Sequence, residues 1–110
     1  MTFDVITTMR GAAAIVTGRL DVRSATDLRL KSSEALVECG GVLTLNLSAV
    51  EFIDSSGLGA LISLHREAER EGRQLQIVPP AGSAREIFAL TRTERYFTLV
   101  ETSEKVATAT

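Results

Sequence analysis

Six consecutive residues, Asp54-Ser55-Ser56-Gly57-Leu58-Gly59, put a carboxylate, two hydroxyls and two glycines at one point of a 110-residue chain. They follow an apolar segment and open a helical pattern. At such a helix start, amides and the macrodipole favour negative charge. Ser, Asp and Gly are ordinary capping residues, so the plainest reading is a well-capped helix with a flexible lead-in. Two details go further. Gly59 falls in the first turn, where Gly costs ~1 kcal/mol against Ala, so close approach of another group is expected there. Two adjacent hydroxyls at a positive helix end are also placed to carry a phosphate.

Other chemistry fails on residue count. A serine nucleophile needs a base, and His65 is the single histidine. On a helix, His65 would stand roughly 15 Å from Ser55, at ~1.5 Å per residue, too far for a triad. No catalytic residue is therefore assigned. Gly57-Leu58-Gly59 lacks the third glycine at Ile62, and no Gly-Lys-Ser/Thr occurs, so nucleotide-cradling loops are absent. No cofactor is expected. Cys39, the single cysteine, permits neither an internal disulfide nor a cysteine-rich metal site, and no metal ligands are assigned.

Net charge is −2, which gives no electrostatic reason to approach nucleic acid. The longest apolar run, Ala12 to Val16, is far short of the ~20 residues a membrane span needs. An acid, Asp4, stands where a signal peptide would carry a base, so the expectation is a soluble, cytoplasmic protein.

The elements that position the hexapeptide follow from periodicity. Phe3 to Met9 alternates as a strand, Gly11 interrupts it, and Ala12 to Thr17 forms a second strand, so the two are expected to pair. Ser24 to Asp27 reads as a capping box for a helix whose inner face is Ala25, Leu28, Ser32, Ala35, Leu36 and Cys39, ended by Gly40-Gly41. Val42 to Leu47 reads as a buried strand, and Val50 to Ile53 resumes after a break at Ser48-Ala49. The second helix runs from about Ser56 to Glu71, with Leu58, Leu61, Ile62, His65 and Ala68 inward. Gln74 to Val78 is the next strand, closed by Pro79-Pro80. Ser83 to Glu86 is a second capping box, for a short helix through Ile87, Phe88 and Leu90, and Phe97 to Val100 the last strand.

The predicted order is β-β-α-β-α-β-α-β: an α/β fold with a mixed, mostly parallel sheet and right-handed crossovers. One domain covers residues 1–110, with Thr102 to Thr110 expected to fray.

Leu45-Asn46-Leu47, Val50, Phe52, Ile53 and then Asp54 to Gly59 resemble the signature of bacterial anti-sigma factor antagonists, which are stand-alone STAS domains. Gly18-Arg19-Leu20-Asp21 resembles that family's Gly-x-Leu-Asp element, and Gly72, the Gln74–Val78 strand and Pro79 fall where the family has them. The resemblance covers about residues 3 to 101.

It implies a partner-switching regulator, not an enzyme. By position Ser55 matches the serine that a cognate anti-sigma factor, itself an ATP-dependent serine kinase, phosphorylates. Asp21 matches the family acid near that serine. The resemblance places partner contacts at Asp21, Asp54, Ser56, Gly57, Leu58 and Gly59. The unphosphorylated form would hold the anti-sigma factor and free the sigma factor, and a serine phosphatase would reset the switch. A monomer or weak dimer is implied, with neither nucleic acid nor membrane as partner. The alternative is a STAS scaffold subunit of a larger signalling assembly. The family often has Gly after the third helix, where this chain reads Leu90-Thr91-Arg92-Thr93, so that helix is expected to end without a left-handed cap.

Overall fold

A computed structural model describes residues 1–100; the expected fraying of residues 102–110 lies outside them. Its elements are β1 (Thr2–Thr8), β2 (Gly11–Leu20), α1 (Ala25–Glu38), β3 (Val42–Ile53), α2 (Ser55–Arg70), β4 (Gln74–Val78) and α3 (Ser83–Thr91), then a 3-10 turn at Thr93–Arg95. The sheet order is β1-β2-β3-β4, with β1 antiparallel to β2 and the remaining pairs parallel. Mixed topology and element order match the sequence reading as far as α3. Phe97–Val100 is not a full strand. Its part in the sheet is one parallel bridge, Leu99 to Ile77, closed by Ile77 N–H to the Thr98 carbonyl at 2.8 Å and Val100 N–H to the Ile77 carbonyl at 2.9 Å.

One face of the sheet carries the core. Register aligns Ala12 with Leu43 and Leu75, and Ala14 with Leu45 and Ile77, because partners across a sheet share a face. Against that floor pack Leu28 and Leu36 of α1, Leu61 and Leu64 of α2, and Phe88 of α3. The expected inner face of α1 holds at Leu28, Ser32, Ala35 and Leu36, while Ala25 and Cys39 are half-buried at its ends. Gly40 turns the chain at φ +68. On α2, Leu64 replaces His65 at the centre of the inner stripe, and His65 sits at its margin against the Tyr96 and Phe97 rings, 4.4 and 5.8 Å between centroids.

β3 runs unbroken through Ser48-Ala49 because two β-bulges absorb the irregularity: β2 advances from Ile15 to Thr17 while β3 advances from Asn46 to Ala49, and Gly18 to Arg19 spans Val50 to Phe52. Asn46 Oδ1 accepts the Ser48 N–H at 3.0 Å, satisfying an amide at the first bulge.

Neither capping box forms. Ser24 Oγ donates to the Arg19 carbonyl at 2.7 Å and accepts from Asp21 N–H at 3.1 Å, closing the loop before α1, while the Asp21 carbonyl takes the Ala25 amide at 2.9 Å. At α3 the cap position is Gly82, at φ +62, and Ser83 is already helical. Leu90 is 82% exposed, off the inner face. Finally, α3 does end in a left-handed residue: Arg92, at φ 59 and ψ 21, takes the conformation that glycine usually supplies.

Candidate functional site

The hexapeptide folds into the entrance of α2, and each member has a distinct task. Asp54 is the N-cap in extended conformation. Its Oδ1 accepts the Ser56 amide at 2.9 Å and the Gly57 amide at 3.1 Å. That satisfies two of the orphan donors of the first turn. The Asp54 amide donates to the Leu20 carbonyl at 3.1 Å, tying the end of β2 to the start of the helix. Asp21 follows Leu20 directly in the chain, so the parallel register of Leu20 with Ile53 and this bond together set Asp21 and Asp54 at one end of the sheet.

Ser55 is the first residue of α2 and is exposed. Its hydroxyl therefore stands at the helix start, open to solvent. Bare amides do not greet a phosphate there, as the sequence reading supposed, since the Asp54 carboxylate engages the next two. Added negative charge would meet the dipole together with an adjacent carboxylate.

Close approach occurs at Gly57, not Gly59. A Cβ built on Gly57 would lie 2.3 Å from the Leu20 carbonyl oxygen and 2.8 Å from Leu20 Cβ. Gly57 thus lets α2 sit directly on the end of β2. At Gly59 a Cβ would meet nothing within 4 Å, and the residue is exposed. Leu58 is 5% exposed and belongs to the core. Gly57 and Leu58 accordingly build the entrance from inside instead of facing a partner. Ser56 and Gly59, with Thr26, Arg29 and Ser63, line a shallow cleft of about 210 Å³ between α1 and α2.

Asp21 lies on a second, wider depression of about 620 Å³ with Arg19, Arg23, Asp27 and Glu51. Its carboxylate accepts the Arg23 amide at 3.0 Å and stands 3.6 Å from Arg19 Nε. Partial desolvation alone would raise its pKa. The Arg23 and Ser24 amides and the Arg19 guanidinium outweigh that and hold the carboxyl below its usual range. Arg19 also lies over the Phe52 ring, 4.1 Å from the centroid. Nothing in the residue types or spacing of Arg19 and Phe52 marks them as members of the site. The bulge that advances β3 to Phe52 aligns the pair, and nothing in residue spacing announces a bulge.

His65 is ten residues along α2 from Ser55, and its Nε2 pairs with Glu69 at 3.4 Å. Cys39 is half-buried, with Sγ 3.5 Å from the Leu36 and Gly41 carbonyls. Neither reaches Ser55. Among the described residues, no cluster of three or more His, Cys, Asp or Glu could hold a metal. No described helix is long and apolar enough to cross a membrane.

Known proteins share this architecture. The family model for the STAS domain matches residues 12–109. The "Anti-sigma F factor antagonist" of Lysinibacillus sphaericus is 33% identical over 73 residues, covering 64% of this chain and 62% of that protein. This chain therefore spans less than two thirds of that relative. A crystal structure of an anti-sigma factor antagonist from Mycobacterium paratuberculosis superposes with TM-score 0.84 at 28% identity, over 98% of this chain and 92% of that one. The Bacillus cell fate determinant SpoIIAA in its phosphorylated form superposes with TM-score 0.69 at 21% identity, over 99% of this chain and all of that one, a likeness of fold alone.

Proposed function

Because the chain belongs to the STAS-domain family, we propose that it acts as an anti-sigma factor antagonist whose binding surface surrounds Ser55. The observation that carries this reading is the state of Ser55: exposed at the first position of α2, on a backbone anchored by the Asp54 cap and the Leu20 carbonyl. The L. sphaericus relative and the M. paratuberculosis structure, both named as antagonists, supply the class of partner.

In the unmodified form the entrance of α2, with Ser56 and Gly59 on the α1–α2 cleft and Asp21 beside it, docks on an anti-sigma factor and releases its sigma factor. Gly59 offers backbone there without a side chain, so a partner can approach closely. The anti-sigma factor is the kinase. It transfers the terminal phosphoryl group of ATP to Ser55 Oγ, and this chain contributes only the acceptor hydroxyl. A serine phosphatase in the same cytoplasm removes the group and restores binding.

The phosphate adds about −1.5 to −2 charges and three acceptor oxygens. Asp54 already places a carboxylate beside Ser55, so the modified surface repels an acidic partner patch and leaves desolvated charge against an apolar one. No refolding is needed, because α2 is already capped and pinned. A loss of about 3 kcal/mol at the centre of the interface would lower affinity about a hundredfold, enough to empty a complex poised near cellular concentration.

The test is calorimetric titration of the cognate anti-sigma factor with three forms of the chain. Ser55→Ala should bind within a few fold of wild type and resist the kinase. Ser55→Asp should keep the fold and lose at least tenfold in affinity. Equal binding by both variants would refute the assignment of Ser55 as the switch.

A further inference from the structure

The sheet has one long edge that the helices leave open. Among the described residues β1 is terminal in the sheet, and its register with β2 runs through seven pairs without a bulge. Strand Thr2–Thr8 reads Thr-Phe-Asp-Val-Ile-Thr-Thr, with no proline or lysine and a single charge at Asp4. Proteins usually blunt a regular edge with those devices, since its outward amides and carbonyls invite another strand. Val5 is 53% exposed and Ile6 52%, so both faces of the edge carry apolar surface.

Over the core face of β1 lies a groove of about 460 Å³. Phe3, Val5 and Thr7 form one wall and Lys31, Glu34 and Glu38 of α1 the rim of the other. None of the groove's lining residues belongs to the α2 entrance.

We propose that this edge pairs antiparallel with β1 of a second copy of the chain, about a two-fold axis through Val5. Paired residues in an antiparallel ladder share a face, so two-fold symmetry requires a residue on the axis. Val5 is the centre of Thr2–Thr8, and only that register pairs all seven residues. It sets Val5 against its copy, Phe3 against the partner's Thr7, and Asp4 against the partner's Ile6. Both α1 helices then lie on the same face, and the two grooves merge over the joined strands.

Charge on α1 supports this occupant. Lys31 and Glu38 are about 10.5 Å apart along the helix at ~1.5 Å per residue, one toward each end of the groove. The two-fold exchanges those ends, bringing each Lys31 toward the partner's Glu38. In the single chain Lys31 pairs with Asp27 at 3.3 Å, a half-exposed contact that is easily given up. Glu34 lies between them and faces its own copy, a like-charge contact that partly offsets the two attractive ones. The edge spans about 24 Å at ~3.4 Å per residue. A strip that narrow buries less than the ~800 Å² per partner of a standard interface, so the dimer is weak and concentration-dependent.

Cross-linking tests the register. In a Cys39→Ser background, Val5→Cys places two thiols opposite each other, with Cβ atoms ~4.5–5.5 Å apart. That chain should become a disulfide dimer on mild oxidation at concentrations of tens of micromolar. Ile6→Cys, equally exposed but two residues out of register with its copy, should cross-link at least tenfold more slowly. In sedimentation velocity of the wild type up to 1 mM, the average mass should rise with concentration. Lys31→Glu should suppress that rise, and Lys31→Glu with Glu38→Lys should restore it. Equal cross-linking of the two cysteine variants, or a wild-type chain that stays monomeric at 1 mM, would overturn the proposal.

Discussion

The two glycines of the α2 entrance look interchangeable in sequence and are opposite in structure, which makes Gly57→Ala and Gly59→Ala an informative pair. A methyl on Gly57 must displace the Leu20 carbonyl oxygen, 2.3 Å away, which is backbone already held by the Asp54 amide. Overpacking against an immovable neighbour costs ~1–3 kcal/mol. The helix preference of Ala over Gly offsets up to ~1 kcal/mol of that. Net destabilisation of up to about 2 kcal/mol is expected. At Gly59 nothing lies within 4 Å of the added methyl, so only the helix preference acts. That variant should be more stable than wild type by ~0.5–1 kcal/mol. Urea unfolding followed by circular dichroism measures both, and the midpoints should move in opposite directions with little change in slope. Equal shifts, or destabilisation by Gly59→Ala, would refute the account of which glycine the packing requires.

Two further predictions concern the margins of the fold. Arg92 holds a left-handed conformation that costs a non-glycine residue ~1–2 kcal/mol, and Arg92→Gly should recover about 1 kcal/mol in the same unfolding assay. Asp21 has its carboxyl pKa held down in the folded state, so it stabilises the fold above the unfolded carboxylate value and loses that contribution as pH falls through the lower folded value. The stability gap between wild type and Asp21→Asn should therefore be constant from pH 7 to about 5 and shrink below about 4. A gap independent of pH down to 2.5 would remove the charge of Asp21 from the balance.

Periodicity carried most of the architecture. The β1–β2 pairing was legible from the two short strands that Gly11 separates, and the face of α1 at Leu28, Ser32, Ala35 and Leu36 from which residues leave water. What was not legible came from backbone hydrogen bonds that several segments can satisfy. Ser24 and Ser83 have the right spacing for capping boxes. Yet the Asp21 carbonyl caps the first turn of α1, and Gly82 takes the cap position of α3. At Ser48-Ala49 two polar and small residues read as a break, and a bulge held by Asn46 keeps the strand continuous.

At the site, the motif located the entrance of α2 correctly but not the division of labour within it. Sequence spacing shows that a glycine lies in the first turn. Only the three-dimensional placement of Leu20 shows that Gly57 is the one packed tight and Gly59 the one left open. The same holds for Arg19 and Phe52, thirty-three residues apart in the chain and stacked at 4.1 Å because of a second bulge.

The central claim is that Ser55 is a phosphorylation switch, and the most direct measurement is the mass of the protein from its own cells. It would be purified with phosphatase inhibitors across growth phases and stresses, and its peptides sequenced by mass spectrometry. The account predicts one phosphate, on Ser55, in a fraction that changes with condition. A chain that is unmodified in every condition, or phosphorylated elsewhere with Ser55 untouched, would contradict it.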